Sequence, residues 1–338
     1  MKATLKQIAE HTGLSISTIS RVVTGKGYVS AESRAVIEAA MAELAYVKHE
    51  HKPVSLKDHD NLVMIIIGGI RSSLASAMME MLVREVEKKN KVAFIAITNF
   101  SPEREREYLQ FAADNNFFGV IALTIHETPE TLQMLRSFPC PVVMIDRFLP
   151  SLDLDYLRPD YYKMGFVGAE YLIRQGHKRI AFIGGTKESP ITEDKKVGFE
   201  DCMHAHGLPI HPEWIVYAGR LIYENGATIA EHILNMEQRP TAIVSSNDLS
   251  VSIVGELSTR GIQVPRDMSI FTCEDSSMAA HCQVPLTAMS MDMERMSADA
   301  VRMLLRRQRQ PGAPHNFMSY NPTLIERSSV CPPRDMRM

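Results

Sequence analysis

Long hydrophobic runs are missing from this sequence. The longest, around Leu62 to Ile67, falls far short of the ~20 apolar residues that a membrane span needs. The opening stretch MKATLKQIAEHTG has no apolar segment of the secretory kind. Cysteine is sparse: Cys140, Cys202, Cys273, Cys282 and Cys331 are odd in number, scattered and without a CxxC pair, which suits a reducing compartment rather than a disulfide framework. These absences predict a cytoplasmic protein with no membrane partner. Positive charge is not in excess either. Lys and Arg number 37 against 40 Asp and Glu, a formal charge of −3, so any nucleic-acid contact has to be local. Catalytic signatures are absent too, with no GxSxG or HExxH, and no nucleophile that can be paired with a base. Gly68-Gly69 and Gly184-Gly185 follow strand-like runs but belong to neither GxGxxG nor a Walker A loop. The pairs His49/His51 and His204/His206 lack the Cys or carboxylate cluster that would complete a tetrahedral metal site. The chain is expected to be no enzyme and to carry no cofactor and no metal.

What is present is enough for real cores. With 338 residues, 45% of them hydrophobic and 23% charged, the composition is that of a globular protein of two or three domains. Residues 1–47 read as three short helices. Thr4 and Gln7 have capping-box spacing, and Leu5, Ile8 and Ala9 share a face, so the first helix should run from near Leu5 to near His11. Gly13 permits a turn of positive φ. A second helix can start at Ser15, with Ile19, Val22 and Val23 inward and Ser17, Thr18 and Arg21 outward. A third follows Ser30, with Val36, Ile37, Ala40, Met41 and Leu44 at core spacing. Within Ile8 to Val23 a small residue (Ala9), a turn glycine (Gly13) and inward Ile19 and Val22 sit where a helix-turn-helix needs them. The outward hydroxyls and Arg21 can reach base edges and phosphates.

Residues 48–60, KHEHKPVSLKDHD, show no sustained period and read as a linker. From Leu62 the texture changes. Apolar runs at 62, 92, 119 and 141 alternate with helical stretches, and the alternation restarts at 179, 214, 241 and 268, which is the βαβ signature of two doubly wound halves. The methionine-rich stretch Met289 to Met296 suits an adaptable core or a subunit interface.

The segment TLKQIAEHTGLSISTISRVVTGKGYVSAESRAVIEAAMAELAY resembles the DNA-binding headpiece of the lactose-repressor (LacI/GalR) family. The resemblance continues through GHKRIAFIGG (176–185), VGF (197–199), RPTAIVSSND (239–248) and GIQVPRDMSIFTCED (261–275). It implies an N-terminal all-α helix-turn-helix headpiece and an α/β core like the type I periplasmic binding proteins, built from two doubly wound parallel-sheet subdomains. The implied limits are a headpiece at 1–47, a hinge at 48–60, an effector-binding and dimerisation domain at 61–330 and a tail at 331–338. Within that domain one subdomain takes about 61–158 and 289–319, the other about 159–288 and 320–330. By resemblance, Ile16, Ser17 and Arg21 read bases, with Thr18 on the same face, while Leu5, Ser15, Ser20, Thr24, Tyr28, Ser30 and Ser33 hold the DNA backbone. Leu56 is the candidate minor-groove wedge. Effector contacts fall on Arg71, Asp146, Arg147, Lys195, Asn247 and Asp275, with Leu221 where an aromatic commonly stacks on a sugar. The implied partners are double-stranded operator DNA, a small effector (sugar, sugar phosphate or sugar acid) and a second copy of the chain. The implied function is a sequence-specific DNA-binding transcriptional regulator, a repressor of a carbohydrate-utilisation operon, whose operator affinity the small effector controls; the alternative is a solute-binding or enzymatic α/β protein using the same cleft. Three departures stand out: Lys195 replaces an effector-clamping arginine, Leu221 replaces the aromatic, and Lys52-Pro53 interrupts the usual hinge. A gathering of Arg71, Arg147, Lys195 and Arg220 in one cleft would point to an anionic effector.

Overall fold

The computed structural model describes residues 5–24, 27–44, 46, 61–149, 151–219 and 223–334. The chain divides into two compact units, residues 1–55 and 56–338. The first holds α1 (Leu5–Thr12), α2 (Ile16–Thr24) and α3 (Ala31–Glu43). Thr4 of the expected capping box lies outside the described residues. Gly13 ends α1 at φ +70°, its N–H donating to the Ala9 carbonyl at 2.9 Å. Ser15 then caps α2, its hydroxyl oxygen accepting from the Thr18 N–H at 3.2 Å, and Ser30 caps α3 through the Ser33 N–H at 3.3 Å. Ile8, Ile19, Val22, Ile37 and Ala40 close the core. Val36, expected inward, is instead 50% exposed. One helical step separates it from Ile37 by about 100°, and the buried stripe follows Ile37 and Ala40.

The second unit contains two six-stranded sheets. The first is parallel throughout and combines β1 (Leu62–Ile67), β2 (Val92–Ile97), β3 (Gly119–Ala122), β4 (Val142–Ile145), β5 (Asp155–Pro159) and, much later, β11 (Phe317–Tyr320), in the order β11-β5-β4-β3-β1-β2. The second combines β6 (Ile180–Gly184), β7 (Ile215–Tyr217), β8 (Ala242–Ser245), β9 (Ser269–Thr272), β10 (Thr287–Ser290) and β12 (Thr323–Ile325), in the order β12-β10-β9-β8-β6-β7. Its strands are parallel except β12, which runs antiparallel to β10. The chain thus changes lobes three times. β10 keeps Met289 and Ser290 in the second sheet, and β11 keeps Tyr320 in the first, so two of the passages come slightly later than the sequence suggests.

Helices cover both faces of each sheet, which is why the central strands are continuous apolar runs. α4 (Ser73–Glu87) and α12 (Met293–Arg309) pack on one face of the first sheet, and α5 (Pro102–Asp114) and α6 (Pro129–Arg136) on the other. The second sheet lies between α7 (Tyr161–Arg174) with α8 (Pro190–Ala205) and α9 (Gly226–Leu234) with α10 (Asn247–Thr259); a short α11 (Ser277–His281) follows β9. The helix starts are written locally. Ser101, Thr128 and Asp160 cap α5, α6 and α7 with their side chains, and Pro102 and Pro129 supply a fixed φ where no N–H is needed. Met289 and Met296 of the methionine-rich stretch are buried. Cys331, expected in a tail, is bonded into the second lobe, its N–H donating to Ser269 Oγ at 3.1 Å.

α7 and α8 cross closely because two glycines have no side chain. A Cβ on Gly165 would lie 1.8 Å from the Lys195 carbonyl oxygen, and one on Gly198 would lie 2.0 Å from that of Tyr162. Backbone cannot yield as a flexible side chain can, so Gly165→Ala should lower the urea midpoint by an amount corresponding to at least ~1–3 kcal/mol. Gly312→Ala, with nothing within 4 Å of the added carbon, is the control and should shift it little.

Candidate functional site

On the three-helix unit the outward face of α2 is polar and open. Ser15 Oγ lies 2.8 Å from both Ser17 Oγ and Thr18 Oγ1, which forms a small hydroxyl group at the helix start. Ile16 is 50% and Tyr28 90% exposed, too much for either to be core. Arg21 is exposed, and its aliphatic stem runs past Gly27, whose φ is +92° and where a Cβ would touch Arg21 Cδ at 3.4 Å. Ser30 donates to Ser33 Oγ at 2.9 Å, while Leu5, Ser20 and Ser33 are partly buried. Thr24 is the last residue of α2. Lys26 and Leu56, with the linker around it, lie outside the described residues.

In the two-lobed unit the expected effector residues gather where parallel strands end. Arg71 follows β1 through Gly68-Gly69, Asp146 and Arg147 follow β4 directly, Asn247 opens α10 after β8, and Asp275 follows β9. This is the edge at which doubly wound sheets offer ligands backbone and side-chain groups. Asp146 holds φ +69°, a left-handed conformation that aspartate tolerates better than most residues. The Tyr161 hydroxyl donates to its Oδ1 at 2.9 Å. Lys195 is buried, donates to Glu274 Oε1 and, at 3.3 Å, to Ser246 Oγ, and sits 5.1 Å from the centre of the Tyr161 ring. Arg158, paired with Asp194, lies 5.3 Å from the same ring. The floor is therefore Asp146, Tyr161, Lys195, Ser246 and Glu274.

Sequence reasoning misplaced one member of this group. Asp275 does not join Lys195: the Arg327 guanidinium donates to both its oxygens, at 2.7 and 2.8 Å, and also to the Leu286 carbonyl. That carboxylate braces β10 against the segment after β12, and Glu274 is the one beside Lys195. Tyr161, Ser246, Asp248 and Glu274 were missed, although SSND and CED carry three of them inside the quoted motifs. Two of the four cations are paired with carboxylates, Arg71 with Glu224 and Lys195 with Glu274, which weakens the argument for an anionic effector; Arg220 and Leu221 lie outside the described residues. Arg147 is partly buried.

The lobes are joined by the Tyr161–Asp146 bond, by the Arg158–Asp194 pair and by two further contacts. Arg71 meets Glu224, and Asp248, 3% exposed, accepts from the Ser73 N–H at 2.9 Å and from the Ser73 hydroxyl. Ser72, the residue before α4, makes no side-chain cap, so Asp248 caps this helix from the opposite lobe. Burial holds the Asp146 carboxyl above its ordinary range, opposed by the Tyr161 bond and by Lys195. It also pushes the Cys273 thiol up to about 12, which leaves that cysteine unreactive. No cluster of three metal-ligating side chains occurs among the described residues, and no described helix is long and apolar enough to cross a membrane.

Residues 4–49 match the family of bacterial regulatory proteins of the lacI type, and residues 169–330 match the periplasmic binding protein-like domain. The chain is 26% identical over 336 residues to the HTH-type transcriptional regulator DegA of Bacillus subtilis (strain 168), covering 98% of this chain and 99% of that one. It is also 26% identical over 341 residues to the HTH-type transcriptional repressor PurR of Histophilus somni (strain 129Pt), covering 97% and 99%. Among solved structures it shares its fold with the transcriptional regulator CelR in complex with cellobiose (TM-score 0.73, 22% identity, 97% and 100% covered). The lac repressor dimer bound to operator and the anti-inducer ONPF is similar too (TM-score 0.72, 18% identity, 98% and 100% covered).

Two predictions follow from the cleft. The ionised form of Asp146 is disfavoured in the folded protein, so its contribution to stability falls as pH rises from the ordinary value of 3.8 through the raised folded one. Asp146→Asn should accordingly be more stable than the parent at neutral pH, with the gain fading toward about pH 4, as urea titrations at both ends will show. Asp248→Ala removes the cap between lobes; it should lower stability by about 1–3 kcal/mol and raise the radius of gyration in small-angle scattering.

Proposed function

The chain belongs to the lacI family of bacterial regulatory proteins, and from that premise we propose that two copies bind a pseudo-palindromic operator through α2 while a small molecule at the strand ends sets the affinity. The coarse function is secure: a DNA-binding transcriptional regulator, not an enzyme, with an effector-binding domain. The finer reading is a cytoplasmic repressor of a carbohydrate-utilisation operon whose effector is a sugar-sized, hydroxyl-rich molecule. One observation carries it. Ile8, Ile19, Val22 and Ile37 fix α2 from behind, while Ser15, Ile16, Ser17 and Arg21 stand outward on one short face.

Each outward group has a use in a major groove. Arg21 suits the two acceptors of a guanine edge, Ser17 can donate or accept, and Ile16 can meet a thymine methyl. Ser15, Ser20, Tyr28, Ser30 and Ser33 supply hydroxyls to phosphates, as does Thr24 by its place on α2, with Leu5 packed at the base. A twofold protein matches a twofold site, and phosphate neutralisation by Arg21, Lys26 and Arg34 makes affinity fall steeply with salt. In the cleft, Asp146 and Glu274 accept from hydroxyls, and Asn247, Arg71 and Arg147 line the mouth by their places after β8, β1 and β4. A ligand there favours one angle between the lobes, and a coupling of about 1–3 kcal/mol suffices to regulate.

An unbiased selection of duplexes by the purified protein at low ionic strength tests the reading; failure to enrich any sequence would end it. Arg21→Ala should bind the selected duplex about 10- to 100-fold more weakly, with an unchanged melting temperature, since Arg21 is exposed.

A further inference from the structure

The floor of the cleft carries more negative charge than positive. Lys195 and Glu274 are 3% and 4% exposed and bonded to each other, yet that bond uses Oε1 alone. Glu274 Oε2 is buried and has no hydrogen-bond partner among the described residues. Asp146 adds a second carboxylate, whose described donor is the uncharged Tyr161 hydroxyl. Lys195, Glu274 and Arg158 all act on the Asp146 charge, and with Asp194, the partner of Arg158, these five ions carry a surplus of one negative charge. Three neighbouring cations are already matched, Arg71 with Glu224, Arg158 with Asp194 and Arg327 with Asp275, and Arg147, next to Asp146 in the chain, makes no ion pair among the described residues.

We propose, on the reading that this cleft is the effector site, that the effector carries a protonated amine and docks it against Glu274 Oε2 and Asp146. When the lobes close, water leaves and a surplus buried carboxylate loses its solvation. A ligand hydroxyl can fill the open lone pair of Oε2 but leaves the surplus charge in place. An ammonium does both, through a charge-assisted hydrogen bond. A phosphate or carboxylate would add a third like charge beside two carboxylates, and Lys195 is already engaged. The remaining polar groups, Ser246 and Tyr161, suit ligand hydroxyls, so the class is an amino-polyol rather than an aliphatic polyamine.

Calorimetry on the full chain with probes matched in skeleton tests this directly. D-glucosamine is compared with D-glucose and D-glucose 6-phosphate, and tris(hydroxymethyl)aminomethane with pentaerythritol, at neutral pH. The amine of at least one set should bind tenfold or more tightly than its hydroxyl counterpart, with no measurable binding of the phosphate. Equal or weaker binding by both amines, or none at all, overturns the proposal. Glu274→Gln keeps an acceptor but removes the surplus charge, and should reduce amine binding at least tenfold; Asp146→Asn, which is expected to fold well, should do the same. Undiminished amine binding in both variants places the amine elsewhere and overturns the proposal. If the amine binds, the variants abolish binding, and saturating amine leaves affinity for the selected duplex unchanged, the ligand class stands and the effector role of the cleft falls.

Discussion

The arrangement at the strand ends depends on one buried ion pair, Lys195 with Glu274. Removing either partner leaves a charge in a dry interior, at a cost of about 3–5 kcal/mol, so the two hold each other's place. The pair contributes little net stability of its own, because both ions have been taken out of water to form it. Its value is positional. Lys195 sits on α8, α8 is pressed against α7 at Gly165 and Gly198, and α7 presents Tyr161 to Asp146. A chain of close contacts thus runs from two glycines to the charged and hydroxyl groups at the strand ends.

The contacts between lobes are weaker by design of their surroundings. Arg71 and Glu224 are largely in solvent, and such pairs are worth about 0–1 kcal/mol. Asp248 contributes more, since it is buried and meets the positive end of a 15-residue helix. The lobes are held by few polar contacts: this cap, the exposed pair, the Tyr161–Asp146 bond and the Arg158–Asp194 pair. A ligand can shift the balance between lobe arrangements only by its differential affinity for them.

Much of the fold was legible in the residues themselves. The central strands are buried on both faces, so Leu62 to Ile67 and its counterparts appear as uninterrupted apolar runs. The edge strands β2 and β7 were legible as apolar runs, but three strands at or near the other edges were not: β5 alternates, β11 is mostly outside the core, and β12 has three residues. Their pairing is fixed by distant neighbours: Phe317 of β11 lies beside Tyr156 of β5, and Ile325 of β12 beside Ala288 of β10. Within the first unit, the caps Ser15 and Ser30 act on residues three positions on, so local spacing revealed them. Val36 shows the limit of that reasoning, since an apolar residue one step from the core stripe looks the same in sequence as one inside it.

The sequence by itself determined which elements form, where most helices begin, which face of α2 is polar, and that charged and amide residues follow the strands. These follow from period, capping and chain direction, which are properties of neighbours along the chain. Tertiary structure alone decided that Glu274 rather than Asp275 meets Lys195, that Arg327 takes Asp275, and that Asp248 caps a helix of the other lobe. Adjacent residues on extended chain point to opposite sides, and which side faces the cleft depends on the sheet around them. Charge balance at a site is likewise a sum over residues distant in sequence, so it exists only once the chain has folded.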